Sequence, residues 1–240
     1  MSLQAAAPAR VADGVWRIRG GFPVRMMNVF LLEEPEGGVT VFDAGVKPMG
    51  AAIRAAGERL GGIRRVVLGN AHADHRGGAN ALGAPVLCHA DERADVEGDG
   101  GAHYFDYGKI GLPPARLVSK ASMKSWDDGP VAVAGTLAEG DEVAGFRVVA
   151  LPGHGPGCIG LWRESDRLAI SNDCFALFDP QLPRPGPPRV PHPAFNWSTE
   201  RARESIEKLA ALEPATCWPG HFGPVTGDVA AQLRRALQKN

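Results

Sequence analysis

The stretch on which the reading turns is Val67-Leu68-Gly69-Asn70-Ala71-His72-Ala73-Asp74-His75. A β-rich run from Ile63 to Leu68 stops at Gly69, and two histidines and an aspartate follow within six residues. Three later stretches repeat the plan: Leu151-Pro152-Gly153-His154-Gly155-Pro156-Gly157, Ile170-Ser171-Asn172-Asp173-Cys174 and Trp218-Pro219-Gly220-His221-Phe222. Each sets a His or Asp just past a predicted strand, among Gly or Pro. Imidazole and carboxylate suit zinc, iron or manganese. Loops at strand ends can bring such ligands together from distant parts of a chain, and glycine permits the sharp turns this needs. A lone histidine is most often a surface or hydrogen-bonded core residue, but four such pieces together point to a metal site. His89, His103 and His192 lack the setting and read as ordinary loop or helix-end histidines.

Working outward, the chain alternates short strands and helices. Val15 to Arg19, Met27 to Leu32 and Val39 to Phe42 are apolar runs separated by Gly20-Gly21 and Glu36-Gly37-Gly38, which reads as an antiparallel meander. Residues 48 to 60 carry an early Pro, helical spacing and a closing Gly61-Gly62. Short helical pieces are expected at 78 to 82 and 91 to 96, with a strand between them at Pro85 to Cys88. Gly98 to Asp128 carries the aromatics Tyr104, Phe105 and Tyr107 but no clear period, and reads as an irregular loop with some helix. Strands resume near Val131, at Phe146 to Leu151, Ile159 to Trp162 and Leu168 to Ser171. Residues 180 to 193 hold seven prolines and must be extended. Ser198 or Thr199 can cap a helix to about Leu212. A strand at Thr216 to Trp218 and a helix from Asp228 to Gln238 finish the chain. Mixed elements in this order suggest a layered α/β or α+β domain over 15–240, preceded by a flexible segment at 1–14.

Composition excludes several classes. Lys plus Arg is 26 and Asp plus Glu 27, so the net charge of −1 leaves no basic surface for nucleic acid. Hydrophobic residues are 44% and charged residues 22%, the balance of a soluble domain. No stretch approaches the about 20 apolar residues of a membrane helix. MSLQAAAPARVADG lacks the apolar region of a signal peptide, so a cytoplasmic location is expected. Cys88, Cys158, Cys174 and Cys217 are far apart and read as reduced, buried thiols.

The four pieces together resemble the metallo-β-lactamase superfamily. Its signature is H-x-H-x-D-H after a strand, then Gly-His, a lone Asp and a final Gly-His. Here these are N-A-H-A-D-H at 70 to 75, G-H at 153 to 154, Asp173 and G-H at 220 to 221. Phe42-Asp43-Ala44-Gly45 matches the family's Asp-Gly turn. The resemblance spans about residues 15 to 225. It implies a four-layer αβ/βα sandwich, two mixed sheets face to face with helices outside, and a metal cleft along one edge. It also implies a ligand set: Asn70, His72 and His154 at a first site, Asp74, His75 and His221 at a second, and Asp173 bridging. Asn70 departs from the pattern, since the family's first motif residue is His and an amide oxygen is a much weaker zinc ligand. His192 is a candidate to compensate.

The implied chemistry is hydrolysis with one or two zinc ions, iron or manganese being alternatives. Bound zinc lowers the pKa of its water from about 15.7 to about 7. Asp74 would orient or deprotonate that water, and Asp43 would hold a ligand's far ring nitrogen. A compact domain without basic arms implies a small ester-like substrate: lactone, thioester or β-lactam. Tyr104, Phe105, Tyr107 and the proline-rich stretch are the expected cleft walls. Two other readings are a mononuclear iron dioxygenase using His72, His154 and Asp173, and a non-catalytic binding protein that lost its first site through Asn70. Neither a membrane nor a nucleic-acid partner is expected, and the oligomeric state is not legible.

Overall fold

A computed structural model describes residues 5–21, 24–181 and 184–238. Among them two sheets pack face to face. The first runs in sequence order: β1 (Ala9–Ala12), β2 (Val15–Gly20), β3 (Met27–Glu33), β4 (Val39–Phe42), β5 (Ile63–Val67), β6 (Val86–His89) and β7 (Val133–Leu137). It is antiparallel from β1 to β4 and parallel from β4 to β7. The second comprises β8 (Glu142–Val143), β9 (Phe146–Ala150), β10 (Ile159–Arg163), β11 (Leu168–Asn172), β12 (Thr216–Pro219) and β13 (Val225–Thr226). Only β11 and β12 run parallel in it.

Strand β3 shows why the sequence builds layers. Its side chains alternate between faces. Phe30 and Leu32 join the cluster between the sheets, with Phe42, Val67, Phe146, Ile159 and Ile170. Val29 and Leu31 face the other way, into the cluster completed by helices. With both faces covered, the strand is buried from Met27 to Leu32 and apolar there except for Asn28, rather than alternating. Helix α1 (Gly50–Arg59) buries Ile53 and Ala56 against β5. Two four-residue helices, α2 (Ala73–Arg76) and α3 (Arg93–Val96), follow. After α4 (Pro113–Trp126), α5 (Thr199–Ala211) and α6 (Val229–Leu237) pack together and bury Ile206, Leu209 and Leu233. Ser198 caps α5, accepting from the Arg201 amide. All four cysteines are buried and free. No helix of the described residues is long and apolar enough to cross a membrane.

One expectation needs correction, and another is made specific. Part of the segment expected to be flexible is ordered: Ala9–Ala12 pairs antiparallel with β2, and Ala5 bridges to Gly20. Backbone pairing holds this edge without an apolar run to announce it, and residues 1–4 lie outside the described residues. The stretch read as an irregular loop with some helix has that helix as α4, started by prolines in its first turn. Its half-buried face is Ala115, Arg116, Ser119, Ser122, Met123 and Trp126. That spacing is helical, but half of the face is polar, so a hydrophobic period never forms.

Candidate metal centre

Five loops converge at one edge of the sandwich, each leaving the carboxyl end of a strand. They carry Asp43 after β4, His72 to His75 after β5, His154 after β9, Asp173 after β11 and His221 after β12. The last loop is fastened across the sheets. The Asn28 amide donates to Gly220 O at 2.8 Å, the Asn28 side chain donates to Pro219 O, and the Phe222 amide donates to Met26 O. Gly220 is required by close approach: a Cβ there would lie 2.4 Å from Asp173 Oδ1 and 2.6 Å from His75 Cε1.

Asp74, His75, Asp173 and His221 form one buried cluster whose ligand atoms lie within 4.8 Å of one another. Asp173 Oδ2 is 3.0 Å from His75 Nε2 and 3.1 Å from His221 Nε2. Asp74 Oδ2 is 3.3 Å from His221 Nε2. His75 Nδ1 donates to Asp43 Oδ2 at 2.9 Å, which turns Nε2 into the cluster. Asp74 Oδ1 and Asp173 Oδ1 are buried without a hydrogen-bond partner. Burying carboxylate oxygens unpaired is costly unless a cation completes them.

The electrostatics agree. Burial opposes charge on His75 and His221, but the surrounding carboxylates outweigh it. His75 is raised well above the usual histidine range, and His221 is held at about 9. Burial likewise opposes ionisation of Asp74 and Asp173, yet the two imidazolium groups hold both below the usual carboxylate range. Two carboxylates and two imidazolium ions sum to zero. A divalent cation with two carboxylates and two neutral imidazoles also sums to zero, so the residues fit such an ion.

The neighbouring group differs. His72 and His154 stack edge to face at 4.5 Å, and His154 Nε2 stands 3.5 Å from Asp173 Oδ2. His154 Nδ1 donates to Asn196 Oδ1, whose amide nitrogen donates to Pro191 O and Thr199 Oγ1. Burial pushes both histidines below their usual range, His72 strongly, with His154 adding to the effect there. His72 Nε2 is hydrogen-bonded to the Tyr104 hydroxyl at 2.7 Å. Any ion approaching that nitrogen has to displace the phenol.

Asn70, expected at the first site, has its amide engaged within the protein. Its Oδ1 accepts the His72 amide and its Nδ2 donates to Asn172 Oδ1, both at 2.8 Å. Asn172 Nδ2 in turn donates to Asp43 Oδ2, the oxygen that holds His75. Asn70 is thus a brace between the two groups, with both ends of its amide in use. His192, the candidate to compensate, lines the cavity, and its Nδ1 accepts the Ala194 amide.

A cavity of about 170 Å³ opens over the cluster. Its floor is His72, Asp74, His154, Asp173 and His221. Val118, Met123 and Trp126 of α4 face Met26, Phe178 and Phe195 across it. Pro180, Pro191 and His192 of the proline-rich stretch also line it, whereas residues 182–183 of that stretch lie outside the described residues. Tyr104, Phe105 and Tyr107 are not on the cavity wall as expected. They form a stack against His72, Phe105 edge-on to it at 4.8 Å and Tyr104 and Tyr107 each edge-on to Phe105. Sequence reading also missed Glu92. This fully buried carboxylate accepts the Ala71 amide at 2.8 Å and the Gly157 amide at 2.7 Å, tying the His72 loop to the His154 loop. Burial raises it to about 7. Its only outward signal is an acidic residue after an apolar strand.

Comparison with known proteins agrees with this geometry. The family model described as Metallo-beta-lactamase superfamily matches residues 23–221. The chain is 29% identical over 260 aligned positions to the probable metallo-hydrolase YflN of Bacillus subtilis, covering 94% of this chain and 90% of that one. The crystal structure of the metallo-β-lactamase family protein TTHA1429 from Thermus thermophilus superposes with a TM-score of 0.68 at 19% identity, over 95% of this chain and 80% of that one. TTHA1623, solved in a di-iron-bound form, gives 0.62 at 24% identity over 92% and 97%. The two-sheet fold, the cluster at its edge and the family match over most of the chain have one reading: this chain belongs to the metallo-β-lactamase superfamily.

Proposed function

We propose that the protein is a metal-dependent hydrolase of small ester-like substrates, with one divalent ion, zinc or iron, held by Asp74, His75, Asp173 and His221. The observation that carries this is the pair of buried, unpartnered oxygens on Asp74 and Asp173 at the floor of a cavity. A bound divalent ion supplies Lewis-acid activation of water and charge stabilisation of an oxyanion. The chain supplies the rest. Asp43 keeps the proton on His75 Nδ1 and fixes that ring. Asp74, on the floor of the cavity, orients an attacking water through its carboxylate. His154, aimed by Asn196, presents Nε2 to the floor of the cavity, within reach of a substrate carbonyl or leaving group. The His72, His154 and Asp173 set of an iron dioxygenase is opposed by the phenol on His72 Nε2.

The test is turnover of an ester, thioester and lactone panel by protein loaded with zinc or iron. Chelation should remove activity and the ion should restore it. Metal-independent turnover, or none with any ion, contradicts the reading.

A further inference from the structure

The cavity carries its own chemical specification, one that deepens the hydrolase reading and rests on it. Among the described residues that line it there is no Lys or Arg, and its charged groups, Asp74, Asp173 and His221, all lie on the floor. His192 on the wall is kept below its usual range by burial. The walls are apolar: Val118, Met123 and Trp126 on one side, Met26, Phe178 and Phe195 on the other. Two wall residues, Val24 and Val118, are 37% and 61% exposed, so the apolar surface runs from the floor out to solvent. Next to Val118 on the helix, Leu117 is 72% exposed and extends that apolar edge. With the ester at the floor, a carboxylate at the far end of an acyl group lies against the apolar wall and loses its hydration without gaining a counter-charge there. An alkyl chain gains burial at every carbon. The volume, about 170 Å³, is close to the about 150 Å³ of an apolar cavity that admits benzene. That sets the scale at about six carbons.

We propose that this cleft is an acyl-binding site. It selects esters, thioesters or lactones of uncharged apolar acyl groups up to about six carbons, and rejects acyl groups that bear a carboxylate. In the reaction, water oxygen bonds to the acyl carbon and the acyl–O or acyl–S bond breaks. The leaving group takes a proton from the water, giving a carboxylic acid and an alcohol or thiol. The serines of α4 that line the wall, Ser119 and Ser122, are the neutral polar groups suited to the ester itself. β-Lactam antibiotics carry a carboxylate beside the ring and fall outside this class.

The experiment uses zinc-loaded protein and 4-nitrophenyl esters of acetyl, butyryl, hexanoyl, decanoyl and glutaryl groups. kcat/KM should rise by up to about fourfold per methylene as far as hexanoyl and then level. Glutaryl, close to hexanoyl in size but charged at its end, should be at least about thirtyfold slower. Val118→Lys, at an exposed position that tolerates the change, should narrow that gap at least tenfold. Equal rates for hexanoyl and glutaryl, or no dependence on chain length, would overturn the proposal. If no ester is turned over, the hydrolase reading fails and the cleft is still testable. Titration by tryptophan fluorescence, compared with Trp126→Phe to assign the signal, should then show hexanamide binding at least thirtyfold more tightly than glutaramate. Equal binding would overturn the acyl-site proposal by itself.

Discussion

Two histidine pairs flank Asp173 at one edge of the sandwich, and the same side chain reaches opposite states in them. His75 and His221 lie against Asp173, with Asp74 and Asp43 close by, and are held in the protonated range. His72 and His154 are as deeply buried, but the carboxylates reach them less closely, and they are driven neutral. Asn70 separates the pairs further. It gives the His72 group no third imidazole and spends its amide bracing Asn172, which supports His75 through Asp43. Ligand identity alone therefore does not make a metal site. The carboxylates around the ligands decide which pair would hold an ion, and a phenol occupies the nitrogen that the other pair would offer.

The sharpest way to break this comparison is to remove the carboxylate common to both groups. Asp173→Ala should abolish the tight ion and lower kcat/KM at least a hundredfold, with circular dichroism unchanged because the residue lies on a loop beyond β11. His221→Ala should do the same. His72→Ala should keep the tight ion. Metal content measured beside activity separates them, and loss of the ion from His72→Ala would invert the assignment.

A pH series sharpens the comparison from the electrostatic side. His221 is raised from the unfolded value of about 6.5 to about 9, so its contribution to apo stability is complete below about pH 6.5. That contribution is lost as pH rises towards 9. Metal binding requires neutral imidazole, so zinc should release protons, and its apparent affinity should rise with pH up to about 9. Calorimetry in buffers of different ionisation enthalpy counts those protons. No release at pH 7 would show that the carboxylate-flanked histidines are neutral before the ion arrives.

The smallest effect is expected at Glu92, which ties only the His72 and His154 loops. Glu92→Gln sets an amide NH2 against one of two backbone N–H groups and should cost about 1–3 kcal/mol in urea unfolding. The tight ion should stay in place. A larger loss of metal than of stability would mean that the brace reaches the carboxylate-flanked group as well.

Much of this was legible in the chain. The strands from β2 to β12 follow apolar runs that end in turn residues; the two-residue β8 among them and the edge strand β1 before them lacked that signal. Asp74, His75, Asp173 and His221 stand beside glycines or at strand ends, where spacing exposes them. What stayed hidden is polar and paired over long sequence distances. Asn172 meets Asn70 across 102 residues, and Asn196 meets His154 across 42. Such partners leave no local pattern. Helix α4, which builds the acyl wall, was obscured because its inward face mixes Ser119 and Ser122 with Met123 and Trp126. The Tyr104 hydroxyl was assigned to the wall because an aromatic run in a loop resembles a binding surface, and nothing in the run shows which way its rings point.

The central claim is that one group binds an ion tightly and the other does not. Stepwise zinc titration of the apo protein by calorimetry, with Tyr104→Phe alongside, tests it most directly. The account predicts one tight ion per chain in the wild type, any second ion at least about a hundredfold weaker, and a tighter second step in Tyr104→Phe once the phenol is gone. Two equally tight ions in the wild type, unchanged by the substitution, would contradict it.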